Sequence, residues 1–251
     1  MHEKNHALGE RVKELEVIFQ ISEALKKDLS LEDIFHVAVR AISAGWQYPE
    51  VTYARLTYDN FDVRTDNYQE TPWQMSRKIF VEGKVKGEVC VGYLKKVFDD
   101  PENVFLKEEQ DLLDLLAVHL GIIIEQKRTD KKLRLSESYY RSIFETSGTA
   151  MFIIEEDTTI RHVNSNFETM AGYSREEIEG EKSWIDFAHP DDAPWMKEYH
   201  YLRRQNPDAA PRQYEFRFKN SHSKELNVLL AVDMIPGTNQ SIASAIDITE
   251  R

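Results

Sequence analysis

Residues 112–144 read LLDLLAVHLGIIIEQKRTDKKLRLSESYYRSIF, and the change of character along this stretch decides the architecture. Leu112 to Ile124 is apolar on nearly every side, interrupted by Asp114 and His119. Lys127, Arg128, Lys131, Lys132 and Arg134 then turn it polar and basic, before Tyr139, Tyr140, Ile143 and Phe144 restore apolar positions. No Pro breaks the stretch and its one Gly is Gly121, so it predicts a continuous helix. A helix that is buried, then solvated, then buried again joins two domains. Such a rod can carry a conformational change from one to the other. The segment Glu125 to Arg134 has few apolar anchors for a rigid coiled coil, so any bend or fraying is expected there.

The chain has 251 residues, enough for two domains, and its 41% hydrophobic and 30% charged residues are those of a soluble globular protein. A net charge of -12 argues against general affinity for nucleic acid or anionic lipid. The basic run after Glu125 reads as a solvated helix face. Cys90 is the one cysteine, which excludes an internal disulfide and any cysteine-clustered metal site, and fits a reducing, cytoplasmic setting. The N-terminal MHEKNHALGERVKELE has no apolar core and is no secretory signal. The apolar run ending at Ile124 is shorter than the roughly 20 residues of a membrane span, so no membrane insertion is expected.

Upstream of the rod, Leu8, Val12, Leu15, Phe19 and Ser22 follow helical steps, so Leu8 to Leu29 reads as an amphipathic helix. Val17, Ile18, Ile21 and Leu25 give it a second apolar face, hence two partners. Ser30-Leu31-Glu32-Asp33 is a capping-box pattern that opens a helix ending near Gly45. Val51 to Tyr58 then reads as a strand closed by Asp59-Asn60, and Arg77–Glu82 and Val85–Lys95 as two strands around Glu82-Gly83-Lys84. The order predicts an α+β domain with helices on one face of an antiparallel sheet.

The strings LEVIFQISEAL, LSLEDIF, GWQYPEVTYARL, KVKGEVCVGYL and VFLKEEQDLLDLLAVHLGIIIEQK resemble the GAF-like input domain that precedes PAS modules in bacterial and archaeal sensor kinases. Members of that family often bind small ligands over the sheet. Here the short Asp59 to Trp73 connection leaves little chain for a lid, which favours a structural or dimerising role. Cys90, inside an alternating strand, reads as a packing residue rather than a bilin anchor. The Asn-Lys-Phe-Asp-Glu constellation of cyclic-nucleotide GAF domains is absent from the sequence.

Downstream, Met151–Glu156 and Thr159–Asn164 read as strands around Asp157-Thr158. Asn164 is placed to cap a helix from Ser165 to Ala171 that Gly172 ends. Ser174-Arg175-Glu176-Glu177 is a second capping box, Trp184 to Phe187 a buried turn, and His189-Pro190-Asp191-Asp192 the entry to a helix reaching Gln205. Gln213–Lys219, Glu225–Ile235 and Ser241–Thr249 read as three closing strands. The motifs SYYRSIFETSGTAMFIIEED, HVNSNFETMAGYSREEIEG, HPDD, YEFRF and Asp247-Ile248-Thr249-Glu250-Arg251 resemble the PAS fold. PAS domains sense ligands, redox state or light, or relay signals through dimers, and the fold alone does not choose among these.

A flavin-binding light sensor of the LOV type is excluded, since this half has no cysteine. His200 lies on the helix where oxygen-sensing PAS proteins carry a haem ligand, so haem is one expectation, against a packing role. His189 and His162 read as a helix-entry and a strand residue. For an unspecified cofactor or ligand the expected cavity lies near Trp184 and Tyr199, with a filled aromatic core as the competing reading. No catalytic constellation is found: no phosphoacceptor histidine, ATP lid, P-loop or nucleophile motif. No metal site is expected. The adjacent acids Asp99-Asp100, Glu108-Glu109 and Asp191-Asp192 read as helix-start charges.

The expected organisation is therefore a GAF-like domain with an N-terminal helix over residues 1–126, a helical linker over 127–136 and a PAS domain over 137–251. Each domain is an antiparallel sheet with helices. The resemblance implies a cytoplasmic signal-relay module, the input region of a two-component sensor histidine kinase, with a downstream kinase or other effector as partner. The doubly apolar helices imply a homodimer. The alternative is a small-molecule or haem sensor with a dedicated pocket.

Overall fold

The computed structural model describes residues 15–97 and 104–250. Leu8 and Val12 of the expected first stripe, the Asp99-Asp100 pair and Arg251 lie outside the described residues. The chain divides into two compact units, Met1–Arg134 and Leu135–Arg251.

In the first unit, residues 15–26 lie in helix α1. Val17, Ile21 and Ala24 are its buried face, whereas Leu15 and Phe19, on the expected stripe, are exposed. Helix α2 (Leu31–Gly45) is capped by Ser30, whose Oγ accepts from the Asp33 backbone N–H at 3.1 Å. The box is only half built: the Asp33 carboxylate accepts from the Ser30 hydroxyl at 2.6 Å instead of from the Ser30 backbone N–H. Ile34, Phe35, Ala38, Val39, Ala41 and Ile42 form the buried stripe of α2.

After a 3-10 turn (Pro49–Val51) come β1 (Thr52–Tyr58), β2 (Phe61–Arg64), β3 (Gln74–Val81) and β4 (Lys84–Tyr93), in the antiparallel order β2-β1-β4-β3. Strand β2 was not expected. Asp59-Asn60 does not merely close β1; with Asp59 at φ 51 it reverses the chain, so that Tyr58 faces Phe61. At the other hairpin Glu82 (φ 51) and Gly83 (φ 72) both take the left-handed conformation that a tight two-residue turn requires.

Helix α3 (Lys107–Thr146) is 40 residues long and continuous, so the polar middle does not interrupt it. Its buried residues run from Glu109 to Ile124, and residues 129–143 are exposed. Glu109 is buried and fully used: it accepts from the Tyr93 hydroxyl at 2.8 Å, the Leu106 N–H at 3.0 Å and the Gln47 N–H at 3.2 Å. Gly121 faces the Phe80 carbonyl, where β3 shifts register against β4, and leaves no room for a Cβ. Among the described residues no helix is long and apolar enough to cross a membrane.

In the second unit β5 (Ala150–Ile154) and β6 (Ile160–Val163) precede three short helical pieces: α4 (Ser165–Ala171), α5 (Arg175–Ile178) and a 3-10 turn (Trp184–Phe187). Helix α6 (Ala193–Gln205) and the strands β7 (Gln213–Lys219), β8 (Glu225–Met234) and β9 (Ser241–Asp247) complete it. The sheet is antiparallel in the order β6-β5-β9-β8-β7. Its β8 alternates strictly, with Leu226, Val228, Leu230 and Val232 buried, so one face is packed under the helices. The sequence features placed here perform as expected. Asn164 caps α4, Gly172 ends it at φ 73, and Ser174 with Glu177 completes a reciprocal capping box. The architecture is α+β, with two antiparallel sheets and a long helix between an N-terminal and a C-terminal domain.

Substituting Gly121→Ala is expected to destabilise the first unit by about 1–3 kcal/mol, the range for overpacking a tight contact. Urea unfolding followed by Trp fluorescence measures it; an unchanged midpoint would show that β3 yields freely.

Candidate functional site

Along α6 the buried positions are Met196, His200 and Arg203, a stripe at helical spacing in which two of three members are polar. This stripe faces a cavity closed by Trp184 and Phe187 from the 3-10 turn and by Tyr214, Phe216 and Phe218 from β7. The cavity encloses about 30 Å³, where one water needs roughly 10–15 Å³.

The polar groups around it are uneven in their satisfaction. His200 is spent on structure: its Nε2 lies 3.0 Å from the Glu156 carbonyl, and its Nδ1 lies 2.9 Å from Nη1 of Arg204. A guanidinium can only donate, so Nδ1 accepts and Nε2 carries the proton. Burial holds the imidazole well below its ordinary range, at about 4. With both nitrogens engaged and so little enclosed space, the ring offers nothing to a haem iron, and these residues do not fit that group. Trp184, expected at the cavity, lines it with its indole Nε1 buried and without a partner. Tyr199 stands one step back, half-buried, edge-on to Tyr214 at 5.5 Å and to Trp195 at 5.4 Å. Burial pushes the Tyr214 hydroxyl up to about 12, so it stays neutral.

Arg203 was not expected. It is 2% exposed, its Nη2 donates to the Pro211 carbonyl at 2.6 Å, and its Nε is buried without a partner. The charged run around it disguised it as a surface residue. The readable signal was its place three residues after His200 and seven after Met196, on the apolar stripe.

The other residues singled out are structural. Asp192 does not cap α6 with its side chain; its carboxylate accepts from the Arg217 guanidinium at 2.8 Å and from the Arg217 backbone N–H at 2.9 Å, fixing the helix entry to β7. His189 sits 3.6 Å from Glu225, and exposed His162 lies 3.4 Å from Glu179. In the first unit burial pushes the Cys90 thiol up to about 11, away from the thiolate form. Among the described residues no group of three or more His, Cys, Asp or Glu could hold a metal ion.

In the C-terminal unit a five-stranded antiparallel sheet with short helices over one face encloses a small cavity. Residues 138–235 match the PAS fold family, and this part of the chain is a PAS domain. Among solved structures, the PAS domain of an HTR-like protein from Haloarcula marismortui is 23% identical, with 49% of this chain and 99% of that one covered and a TM-score of 0.40. A domain of a sensory box sensor histidine kinase/response regulator from Geobacter sulfurreducens is 21% identical, covering 46% and 96% at a TM-score of 0.41. The DhaR(N)-DhaL complex of E. coli is 10% identical, covering 70% and 55% at a TM-score of 0.44. No curated protein matches the chain.

Because His200 is held neutral by burial, the unfolded chain takes up its proton first as pH falls. The stability it contributes is whole above about 6.5 and is lost progressively towards about 4. The thermal midpoint is therefore expected to fall less between pH 7 and pH 4.5 in His200→Gln than in the parent chain. Equal falls would remove His200 from that account.

Proposed function

We propose that the chain is a cytoplasmic sensory and signal-relay module, a GAF-like domain followed by the PAS domain, serving as the input region of a two-component sensor histidine kinase. The observation that carries this reading is α3, a single helix that packs on one sheet as far as Ile124 and ends at Thr146 among residues of the PAS domain. A continuous helix transmits rotation and translation where a loop would absorb them. The N-terminal order of two helices, a four-stranded antiparallel sheet and a long helix supports the GAF-like assignment. On this reading the module acts by binding and not by catalysis, and a kinase or other effector converts its movement into phosphorelay output.

The working unit is a homodimer. Ser22 of α1 meets His119 of α3 at 3.2 Å, and Asp28 meets Lys127 at 3.2 Å, so the two helices run parallel and side by side. Leu15 and Phe19 on α1 and Leu115, Val118 and Ile122 on α3 are all at least half exposed along this pair. That strip is apolar enough to need a partner. A second copy fits it because the strip is at once the surface to cover and a surface able to cover.

Two measurements bear on this. At micromolar concentration light scattering is expected to give twice the chain mass, and Phe19→Asp with Val118→Asp is expected to give a folded monomer; a monomeric parent chain refutes the dimer. Inserting one residue after Thr129, in the chain joined to its effector, is expected to turn α3 by about 100° and change output. Unchanged output and unchanged regulation would refute the helical relay.

A further inference from the structure

The cavity under α6 is lined by two buried donors that lack partners. An arginine side chain, unlike a lysine, does not escape burial by losing its proton. The hydrogen bonds of Arg203 go to the Pro211 carbonyl and the Tyr214 hydroxyl, its Nε is left without a partner, and among the described residues no carboxylate pairs with it. Enclosing a cation without a counter-charge is unfavourable, and a fold sheds that penalty unless the charge meets something. The indole N–H of Trp184, on the same cavity, is likewise buried and unpaired. Tyr214, neutral, accepts from Arg203 through its oxygen and keeps its own proton to donate.

The possible competitors are occupied. Both nitrogens of His200 are taken, and Arg204 bonds the carbonyls of Glu155 and Asn239. The acids nearest that guanidinium are tied elsewhere, Glu155 to the Gln240 amide at 2.8 Å and Glu156 to the Asn239 amide at 2.9 Å. Around the donors the wall is apolar, with Phe152, Ile154, Phe167 and Met196. A guest must therefore bring a negative charge, acceptor oxygens and a short apolar body.

We propose that this cavity is a receptor site for a small organic carboxylate, its oxygens held by the Arg203 guanidinium and the Trp184 indole N–H and its apolar end lying against Phe167 and Met196. The enclosed space, about two waters' worth, sets the size: a short aliphatic acid enters, and a longer one has to move side chains. The inference rests on the C-terminal domain being the sensing part of the module and gives its signal a chemical class.

The test is titration of the full chain with acetate, propionate, butyrate and benzoate by calorimetry, alongside propionamide and inorganic phosphate. At least one acid is expected to bind saturably, with the matched amide about tenfold weaker or more, since it lacks the charge that Arg203 requires. Proton–nitrogen spectra are expected to show the Trp184 indole N–H moving on saturation. Arg203→Met is expected to weaken binding by about tenfold or more while the thermal midpoint holds or rises, because an uncompensated charge has been removed. Trp184→Phe, which deletes the indole donor but keeps a ring, is expected to weaken it by about threefold to tenfold and decides the matter if Arg203→Met does not fold. Saturation by none of the four acids, binding by phosphate in their place, or affinity unchanged in the variants overturns the proposal. The relay reading fails separately: binding without any effect on output sinks the relay and leaves the site, and an intact relay without binding does the reverse.

Discussion

The PAS domain depends on one buried amide. Asn164 is fully buried and uses its whole side chain: Oδ1 accepts from the Met151 N–H at 2.8 Å and the Phe167 N–H at 3.0 Å, while Nδ2 donates to the carbonyls of Phe144 and Thr149, both at 2.9 Å, and reaches the Ser147 hydroxyl at 3.1 Å. One residue thus caps α4, anchors β5 and satisfies a carbonyl in the last turn of α3, where a helix leaves its acceptors open. Each bond contributes about 1 kcal/mol net, but leaving its buried partners unmade would cost more. Around it the same junction is fastened again. Glu145 accepts from the Ser165 N–H at 3.2 Å and from Arg175 at 2.8 Å, and Asn166 donates to the Ser147 carbonyl at 2.6 Å. The end of α3 and the start of α4 therefore cannot move independently, which gives a helix displacement a definite first recipient.

Local chemistry made this junction legible in the sequence. An Asn before a short apolar helix, a Gly after it and a Ser-x-x-Glu starting two residues past that Gly each state a backbone need that few other residues meet. The alternation of β7 and β8 was legible for a related reason, since a period of two survives wherever one face of a sheet is buried. What could not be read was the outcome of tertiary competition. Strand β2 has four residues and one buried member, Val63, too little for periodicity to register. Helix α1 has two apolar faces, and sequence cannot say which one the sheet takes; it took Val17 and Ile21 and left Leu15 and Phe19 in solvent. The cavity was half legible. Trp184 is legible because a large aromatic in a short turn has to pack, whereas Arg203 is not, because buried arginines are rare.

The two arginines that meet the helical layer show how differently one side chain can serve. Arg217 is exposed enough to be screened and carries a chelating ion pair with Asp192, whose carboxyl it holds below the usual range, through hydrogen bonding first. Its role is positional: it sets where α6 begins on β7, and its energy is modest. Arg203, seven residues further along the buried stripe than Met196, has neither solvent nor a carboxylate. Packing alone would be served better there by Leu or Met, because a fold gains nothing by enclosing an unpaired cation among aromatic rings.

That inequality is what makes the cavity interesting as a switch element. A ligand shifts a conformational equilibrium only by its differential affinity for the two states. An anion that neutralises Arg203 and takes the Trp184 proton donor removes a penalty present only when both groups are enclosed. Occupancy of the cavity and the packed arrangement that encloses Arg203 and Trp184 are then thermodynamically linked, since anything bound by that arrangement alone stabilises it. Phe187 stacks on Phe218 at 5.5 Å and stands edge-on to Phe167 at 5.5 Å, and Phe167 is the residue whose N–H Asn164 caps. A rigid aromatic chain thus runs from the cavity to the amide that holds the end of α3, all within one domain. Packed rings of this kind transmit a discrete displacement and do not deform smoothly, because an interior at native density has no slack to absorb it.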